Sequence, residues 1–234
     1  HAHTMAALSQ HVAVPLRLLL VRHGLSSFNV ERRIQGRDDL STLTAAGEDQ
    51  ARRLGQALVD VPITAVYSSP LKRAASTAAG ILEARHDGLE PSFDQGLLEI
   101  DLEPWSGLTA AERSERFPED FATWKRTPET LELTRKDGSR YQPYEELMTQ
   151  ARSFLDELVR RHPVNSDDTV LLVGHNAILR CLIVSLLGQP DQGFRRLRLD
   201  NASLSIFNLS PQDDGHQVQI ECLNSTAHLD PPLP

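Results

Sequence analysis

Two short runs constrain this chain more than anything else in it: Leu16-Arg17-Leu18-Leu19-Leu20-Val21 and Thr169-Val170-Leu171-Leu172-Val173. Each is apolar at nearly every position rather than at alternate ones, so each predicts a strand covered on both faces. Strands of that kind need helices on both sides of their sheet, and the intervening sequence supplies them. Thr44 predicts an N-cap for a helix over 45–58, whose Ala51, Leu54 and Leu58 recur at helical spacing. A short strand over 65–67 precedes Ser69-Pro70, which reads as the N-cap and first-turn proline of an alanine-rich helix to about Ala84. Pro143 opens an amphipathic helix to about His162, and a further helix runs from Asn176 to Leu187. Strands over 202–208 and 217–223 close the chain. The expected fold is α/β: a three-layer α/β/α sandwich around a largely parallel, mixed sheet.

The middle of the chain is less regular. Short helices are expected at 109–117 and 119–125, and Lys136-Asp137-Gly138-Ser139 is a turn signal within a weakly periodic stretch, 127–143. One domain spans 14–225. The first 13 residues, opening His1-Ala2-His3-Thr4-Met5, look like the remains of an affinity tag and a disordered N-terminus. Residues 226–234, ending Pro231-Pro232-Leu233-Pro234, are expected to form a loose tail.

Acidic residues outnumber basic ones, 32 to 24, for a formal charge of −8. Such a surface argues against nucleic acid and anionic membranes as partners. An anionic small molecule must then be drawn in by a local group of arginines. No run is long enough to cross a membrane. Cys181 and Cys222 sit in apolar segments and read as free thiols, which suits a cytoplasmic protein. Monomer and homodimer both remain open.

Arg22-His23-Gly24 follows the first apolar run directly, and Gly174-His175-Asn176 follows the second. In open α/β sheets, ligands bind beyond the carboxyl ends of the strands. Two histidines therefore stand at equivalent places, one beside a glycine that permits close backbone approach. Arg73 lies near the start of a helix, where anions are favoured, and its guanidinium suits phosphate oxygens. An acidic, aromatic segment runs from Glu99 to Gly107. His86, His162, His216 and His228 lack comparable neighbours and read as ordinary surface or core residues, and Trp105 as a packing residue.

These segments resemble, in order, the motifs of the histidine phosphatases and cofactor-dependent phosphoglycerate mutases. Leu20-Val21-Arg22-His23-Gly24, followed by Asn29 and Gly36, is similar to their opening motif. Tyr67-Ser68-Ser69-Pro70-Leu71-Lys72-Arg73-Ala74 is similar to the second. Leu98-Glu99-Ile100 with Trp105-Ser106-Gly107-Leu108 resembles the third, and Val173-Gly174-His175-Asn176 the fourth. The resemblance extends from about Leu16 to Asn208. It implies that His23 is a nucleophile and that Arg22, Arg73 and His175 hold phosphate oxygens. Asn29, Gln35, Gly36 and Asn176 would line the pocket, and Glu99 would serve as proton donor and later as base. Neither a metal nor a cofactor is called for. The chain departs from the commoner pattern at Leu25, where Glu or Gln often stands, and at Asn176, where Gly is common.

A neutral imidazole is a suitable attacker of an anionic ester, provided an acceptor holds its other nitrogen. A backbone carbonyl near Gly24 is the expected acceptor. The implied activity is a phosphatase for a small phosphorylated metabolite, a sugar or sugar-acid phosphate. Ile34-Gln35-Gly36-Arg37-Asp38-Asp39, and Phe117-Pro118-Glu119-Asp120-Phe121 with Trp124-Lys125 and Pro128, resemble cyanobacterial and plant phosphatases for 2-carboxyarabinitol 1-phosphate. Lys136, Arg140, Arg195, Arg196 and Arg198 would supply a basic rim. The alternatives are a phosphoglycerate mutase, a phospholigand-binding protein without turnover, and a metal site of His23, His175 and Glu99. Arg22 beside His23 would repel a cation and disfavours the last.

Overall fold

A computed structural model describes residues 14–213 and 215–229. The chain runs β1 (Leu16–Arg22), α1 (Ser27–Glu31), α2 (Ala45–Ala57), β2 (Ala65–Ser68), α3 (Lys72–Arg85) and β3 (Ser92–Phe93). It continues through α4 (Ala110–Arg116), α5 (Pro118–Arg126), β4 (Leu133–Thr134), β5 (Arg140–Tyr141) and α6 (Pro143–Arg161). It ends with β6 (Thr169–Gly174), α7 (Asn176–Leu186), α8 (Gln192–Arg196), β7 (Leu204–Gln212) and β8 (Gly215–Ser225). The main sheet has the order β3-β2-β6-β1-β7-β8. Its first four strands are parallel and its last two pair antiparallel. The two apolar runs lie side by side, in register from Arg17 opposite Thr169 to Arg22 opposite Gly174.

The unbroken hydrophobicity of those runs follows from where their alternate residues go. Leu18, Leu20, Val170 and Leu172 join one core with Leu147, Phe154, Ile178 and Leu182 of α6 and α7. Leu19, Val21, Leu171 and Val173 join another with Ala51, Leu54, Ala74, Ala78 and Ile81 of α2 and α3. Successive side chains point to opposite faces, so a strand with a helical layer on each side needs an apolar residue at every position. The three-layer α/β/α architecture is the result.

Two local expectations change. Ser69-Pro70 does not cap α3, which starts at Lys72 and has no side-chain cap at Leu71. Asp39 Oδ1 accepts the Lys72 N–H instead, at 2.7 Å, and Ser69 turns inward to His175. Within 127–143 the Lys136–Ser139 turn signal joins β4 and β5 into a small hairpin, with Gly138 at φ +87°. The tail is held as far as it is described, since Leu229 is 4% exposed and His228 Nε2 lies 2.8 Å from the Ala202 carbonyl. The tag-like residues 1–13 and the final prolines lie outside the described residues. Cys181 and Cys222 are free. Among the described residues no helix is long and apolar enough to cross a membrane.

Candidate active site

His23 and His175 follow β1 and β6 directly, and the His23 N–H donates to the Gly174 carbonyl at 3.0 Å. Their rings are buried, with centroids 5.4 Å apart. That separation is close to the roughly 4.8 Å spacing of neighbouring strands. Gly24 lets the chain leave β1 beneath α2. A Cβ there would stand 2.6 Å from the carbonyl oxygen of Gly47, which is fixed backbone. The Gly24 N–H donates to Thr77 Oγ1 at 3.0 Å.

Nδ1 of His23 lies 2.7 Å from the carbonyl oxygen of Gly24. A carbonyl only accepts, so Nδ1 carries the hydrogen and Nε2 of the neutral ring keeps its lone pair. Burial, followed by the charges of Arg22 and Arg73, pushes the pKa of His23 well below the ordinary histidine value. The ring is therefore neutral at pH 7.

His175 is arranged the opposite way. Its Nε2 lies 2.8 Å from Ser69 Oγ, and that oxygen also accepts the Leu71 N–H at 3.3 Å. With the serine hydroxyl donated to Nε2, the neutral ring carries its own hydrogen on Nδ1. That nitrogen is buried and has no hydrogen-bond partner among the described residues. Burial, then the charges of Arg73, His23 and Arg22, hold the pKa of His175 well below the usual value. His175 is thus an uncharged donor.

Arg73 is fully buried. Its Nη1 donates to the Asp38 carbonyl at 2.8 Å and its Nη2 to the Gly36 carbonyl at 2.7 Å, which clamps the fork in place. Arg22 Nη1 donates to the Leu199 carbonyl at 2.5 Å. The Nε atoms of both arginines are buried and without a partner among the described residues, so they remain as donors for an anion. Burial lowers the pKa of Arg22 to about 10, which still leaves it protonated at neutral pH. Glu99 sits on the N-terminus of α7. Its Oε1 accepts the N–H groups of Ile100 and Ile178, and its Oε2 that of Ala177, all at 3.0 Å. The positive end of the helix favours a carboxylate there.

A cavity of about 150 Å³ is lined by Arg22, His23, Gln35, Gly36, Arg73, Glu99 and Asn176. The structure thus brings seven of the nine expected residues to one surface, with His175 packed against His23 behind it. Asn29 is not among the residues that line this cavity. As the third residue of α1 it forms a capping box with Ser26, and its Oδ1 also accepts from Asn201 Nδ2 at 3.1 Å. Its amide steadies the loop from behind. The basic rim does not form at the cavity either. Arg140 pairs with Glu132 and Arg198 with Asp200, Arg195 donates to the Arg126 carbonyl, and none of the five lines the cavity.

Sequence reasoning did not place the other six lining residues, Ile34, Ile100, Leu102, Trp124, Ala177 and Arg180, at the site, and two of these, Arg180 and Trp124, bear on recognition. Arg180 could have been found, because it lies one helical turn after Asn176 and so shares its face. Trp124 comes from α5, whose docking no local pattern announces. Three guanidinium charges, from Arg22, Arg73 and Arg180, face one carboxylate. Their excess of two positive charges complements a phosphate monoester dianion. Among the described residues, no three His, Cys, Asp or Glu side chains are gathered to hold a metal ion.

Residues 18–224 match the family model of the histidine phosphatase superfamily, branch 1. A probable 2-carboxy-D-arabinitol-1-phosphatase of Arabidopsis thaliana is 37% identical over 208 residues, 89% of this chain but 41% of that protein. The chain thus spans about two fifths of that plant relative. Phosphoserine phosphatase 1 of Hydrogenobacter thermophilus is 35% identical over 92% of this chain and 94% of its own length. A probable phosphoglycerate mutase of Salmonella arizonae is 35% identical over 93% of this chain and 96% of its own. Among solved structures, a mycobacterial glucosyl-3-phosphoglycerate phosphatase in complex with VO3 superposes with a TM-score of 0.77 at 27% identity. It covers 90% of this chain and all of that one.

Proposed function

Because the chain belongs to branch 1 of the histidine phosphatase superfamily, we propose that it hydrolyses small phosphate monoesters through a phosphohistidine formed on His23. The observation that carries this reading is the bond between His23 Nδ1 and the Gly24 carbonyl, which leaves Nε2 free to attack. The phosphoryl group binds with its oxygens on Arg22, Arg73 and the Nδ1–H of His175. Charge spreads over those oxygens in the transition state, and preorganised donors stabilise it without moving.

In the first step the Nε2–P bond forms and the ester P–O bond breaks. Glu99 gives its proton to the leaving oxygen. Oε2 accepts only one backbone N–H, so it has the lone pair that carries this proton. In the second step water attacks phosphorus, Glu99 takes a proton from it, and Nε2 leaves with its electron pair. Phosphate and the starting enzyme result. The substrate is a sugar or sugar-acid phosphate. In support, relatives are named as phosphatases for 2-carboxy-D-arabinitol 1-phosphate and phosphoserine, and a structural neighbour as one for glucosyl-3-phosphoglycerate.

The test is release of inorganic phosphate across sugar phosphates, phosphoglycerates and p-nitrophenyl phosphate in excess chelator, with an acid quench. Turnover, with acid-labile, base-stable phosphate on His23, is expected. A stable phosphoserine, or binding without turnover, would overturn the mechanism. The mutase-named relative motivates one rival reading, which predicts movement of phosphate between hydroxyls of phosphoglycerate faster than its release.

A further inference from the structure

The mechanism above employs two of the three arginines in the cavity. The third, Arg180, lines the same cavity as His23 and Glu99 yet has no part in phosphoryl transfer. Its guanidinium stacks on the Phe194 ring, 3.9 Å from the centroid. Nη1 donates to the Phe194 carbonyl at 3.1 Å, and Nε makes a long contact, 3.4 Å, to the Asn176 carbonyl. These contacts orient the plane and leave Nη2 uncommitted among the described residues. No carboxylate forms an ion pair with it there. Taking a guanidinium largely out of water is costly: burial lowers its pKa, opposed only in part by the charge of the Glu99 carboxylate, which Arg22 and Arg73 share. A residue that served only to hold α8 could do so without a charge.

We propose that Arg180 is the carboxylate-binding residue of this site, and that the substrate is a phosphoester carrying a carboxylate a few atoms from the phosphate. The proposal rests on the phosphatase reading and deepens it. With Arg22 and Arg73 assigned to the phosphoryl oxygens, Arg180 is a third cationic group in the same cavity, available to a second anionic group of the substrate. Arg presents a planar fork that suits a carboxylate. Trp124, Ile34 and Leu102 line the same cavity and offer apolar surface for the carbon skeleton between the two anions. An arginine already desolvated and fixed by stacking loses little freedom on binding.

The test compares matched pairs that differ at the carboxylate: glycerate 3-phosphate against glycerol 3-phosphate, and phosphoserine against phosphoethanolamine. Wild-type enzyme should prefer the carboxylated member of each pair by roughly 10- to 100-fold in kcat/KM, the worth of a charge-assisted contact. In Arg180→Met that ratio should fall to within about threefold of unity, with the change carried by KM. Arg180→Lys keeps the charge but not the fork and should retain an intermediate ratio. Wild-type enzyme that turns over both members of each pair equally overturns the subsite and leaves the phosphatase reading intact. So does Arg180→Met that slows both members alike. If wild-type enzyme hydrolyses no member of either pair and forms no phosphohistidine, both readings fall. The wild-type ratio needs no variant, so a misfolded Arg180→Met would not protect the proposal.

Discussion

The carbonyl oxygen of Gly24 holds Nδ1 of His23 at 2.7 Å. An uncharged acceptor fixes the ring's tautomer without the rise in basicity that a carboxylate partner would bring. His23 is therefore both correctly oriented and neutral, which a nucleophile facing an anion requires. The same carbonyl takes a second, longer bond from Asn201 Nδ2, at 3.3 Å, so its position is set from the far side as well.

The pH dependence follows from the direction of the shifts. The pKa values of His23 and His175 are both depressed in the folded chain. Between the unfolded value, about 6.5, and the lower folded values, the unfolded chain binds more protons, so stability falls as pH drops below about 6.5. The acid limb of kcat/KM for the free enzyme should likewise lie below pH 6.5. A limb centred above 6.5, or a melting temperature unchanged from pH 7.5 to 5.5, would contradict the depressed values.

His23→Ala should reduce turnover on the order of 10⁴-fold or more, because nothing else in the cavity can form the covalent intermediate. The acid-labile phosphate should vanish with it. Appreciable residual turnover through a covalent enzyme would remove His23 as the nucleophile.

Gly24→Ala forces a methyl group to 2.6 Å from the Gly47 carbonyl, with backbone on both sides. Overpacking of this kind costs about 1–3 kcal/mol. At roughly 2–4 °C per kcal/mol for a domain of this size, the melting temperature should fall by about 2–12 °C. Turnover should drop more than stability alone explains, since the acceptor that holds His23 moves too. A variant with wild-type melting and kcat would show that the two glycines need not approach so closely.

Glu99→Gln tests the acid. Alkyl phosphates need a protonated leaving group and aryl phosphates hardly do, so alkyl substrates should suffer by far the larger loss. The amide also turns an NH2 group toward one of the backbone N–H groups that the carboxylate now accepts. Stability should fall by about 1–3 kcal/mol, readable by denaturant titration. Equal losses on both substrate classes would place the acid elsewhere. Asp101, the next acid in the sequence, is a poor replacement, because it faces Arg135 at 3.6 Å and does not line the cavity.

Ser69→Ala strips His175 Nε2 of its donor, and the ring is then free to move its hydrogen off Nδ1. A fall in kcat of about 10- to 100-fold is expected, smaller than the roughly 100- to 1000-fold cost of removing a preorganised donor outright, because the ring itself stays. KM for aryl phosphate should change less. Recovery of kcat in Ser69→Thr would support the hydroxyl's role, and an unaffected kcat in Ser69→Ala would dismiss it.

The parts of the molecule legible in the sequence are those set by short-range pattern. The covered strands β1 and β6 declare themselves through unbroken hydrophobicity, and His23 and His175 are marked by following them. Arg73 and Glu99 are marked by their motifs. What was illegible depends on partners distant in sequence. Ser69 looks like a helix cap because serine before proline usually is one, yet Asp39 takes that task and frees Ser69 for His175. Asn29 looks like a ligand because of its place in the motif, but its Oδ1 accepts from Ser26 and Asn201. Trp124 reaches the cavity only because α5 packs across Trp105 and Phe194.

Arg22 and Gly174 are cross-strand partners, so the gap between the two imidazoles is a repeat distance of the central ladder. It cannot drift without breaking the most deeply covered strands of the molecule. Trp124, by contrast, hangs on a short helix outside the sheet. Reaction chemistry, together with Arg180, and the apolar surface supplied by Trp124 are thus inherited on separate scaffolds, one rigid and one exchangeable. A graft that replaces 110–141 with the corresponding stretch of a relative should retune what enters the cavity while the phosphoryl-transfer apparatus passes unchanged into the chimaera.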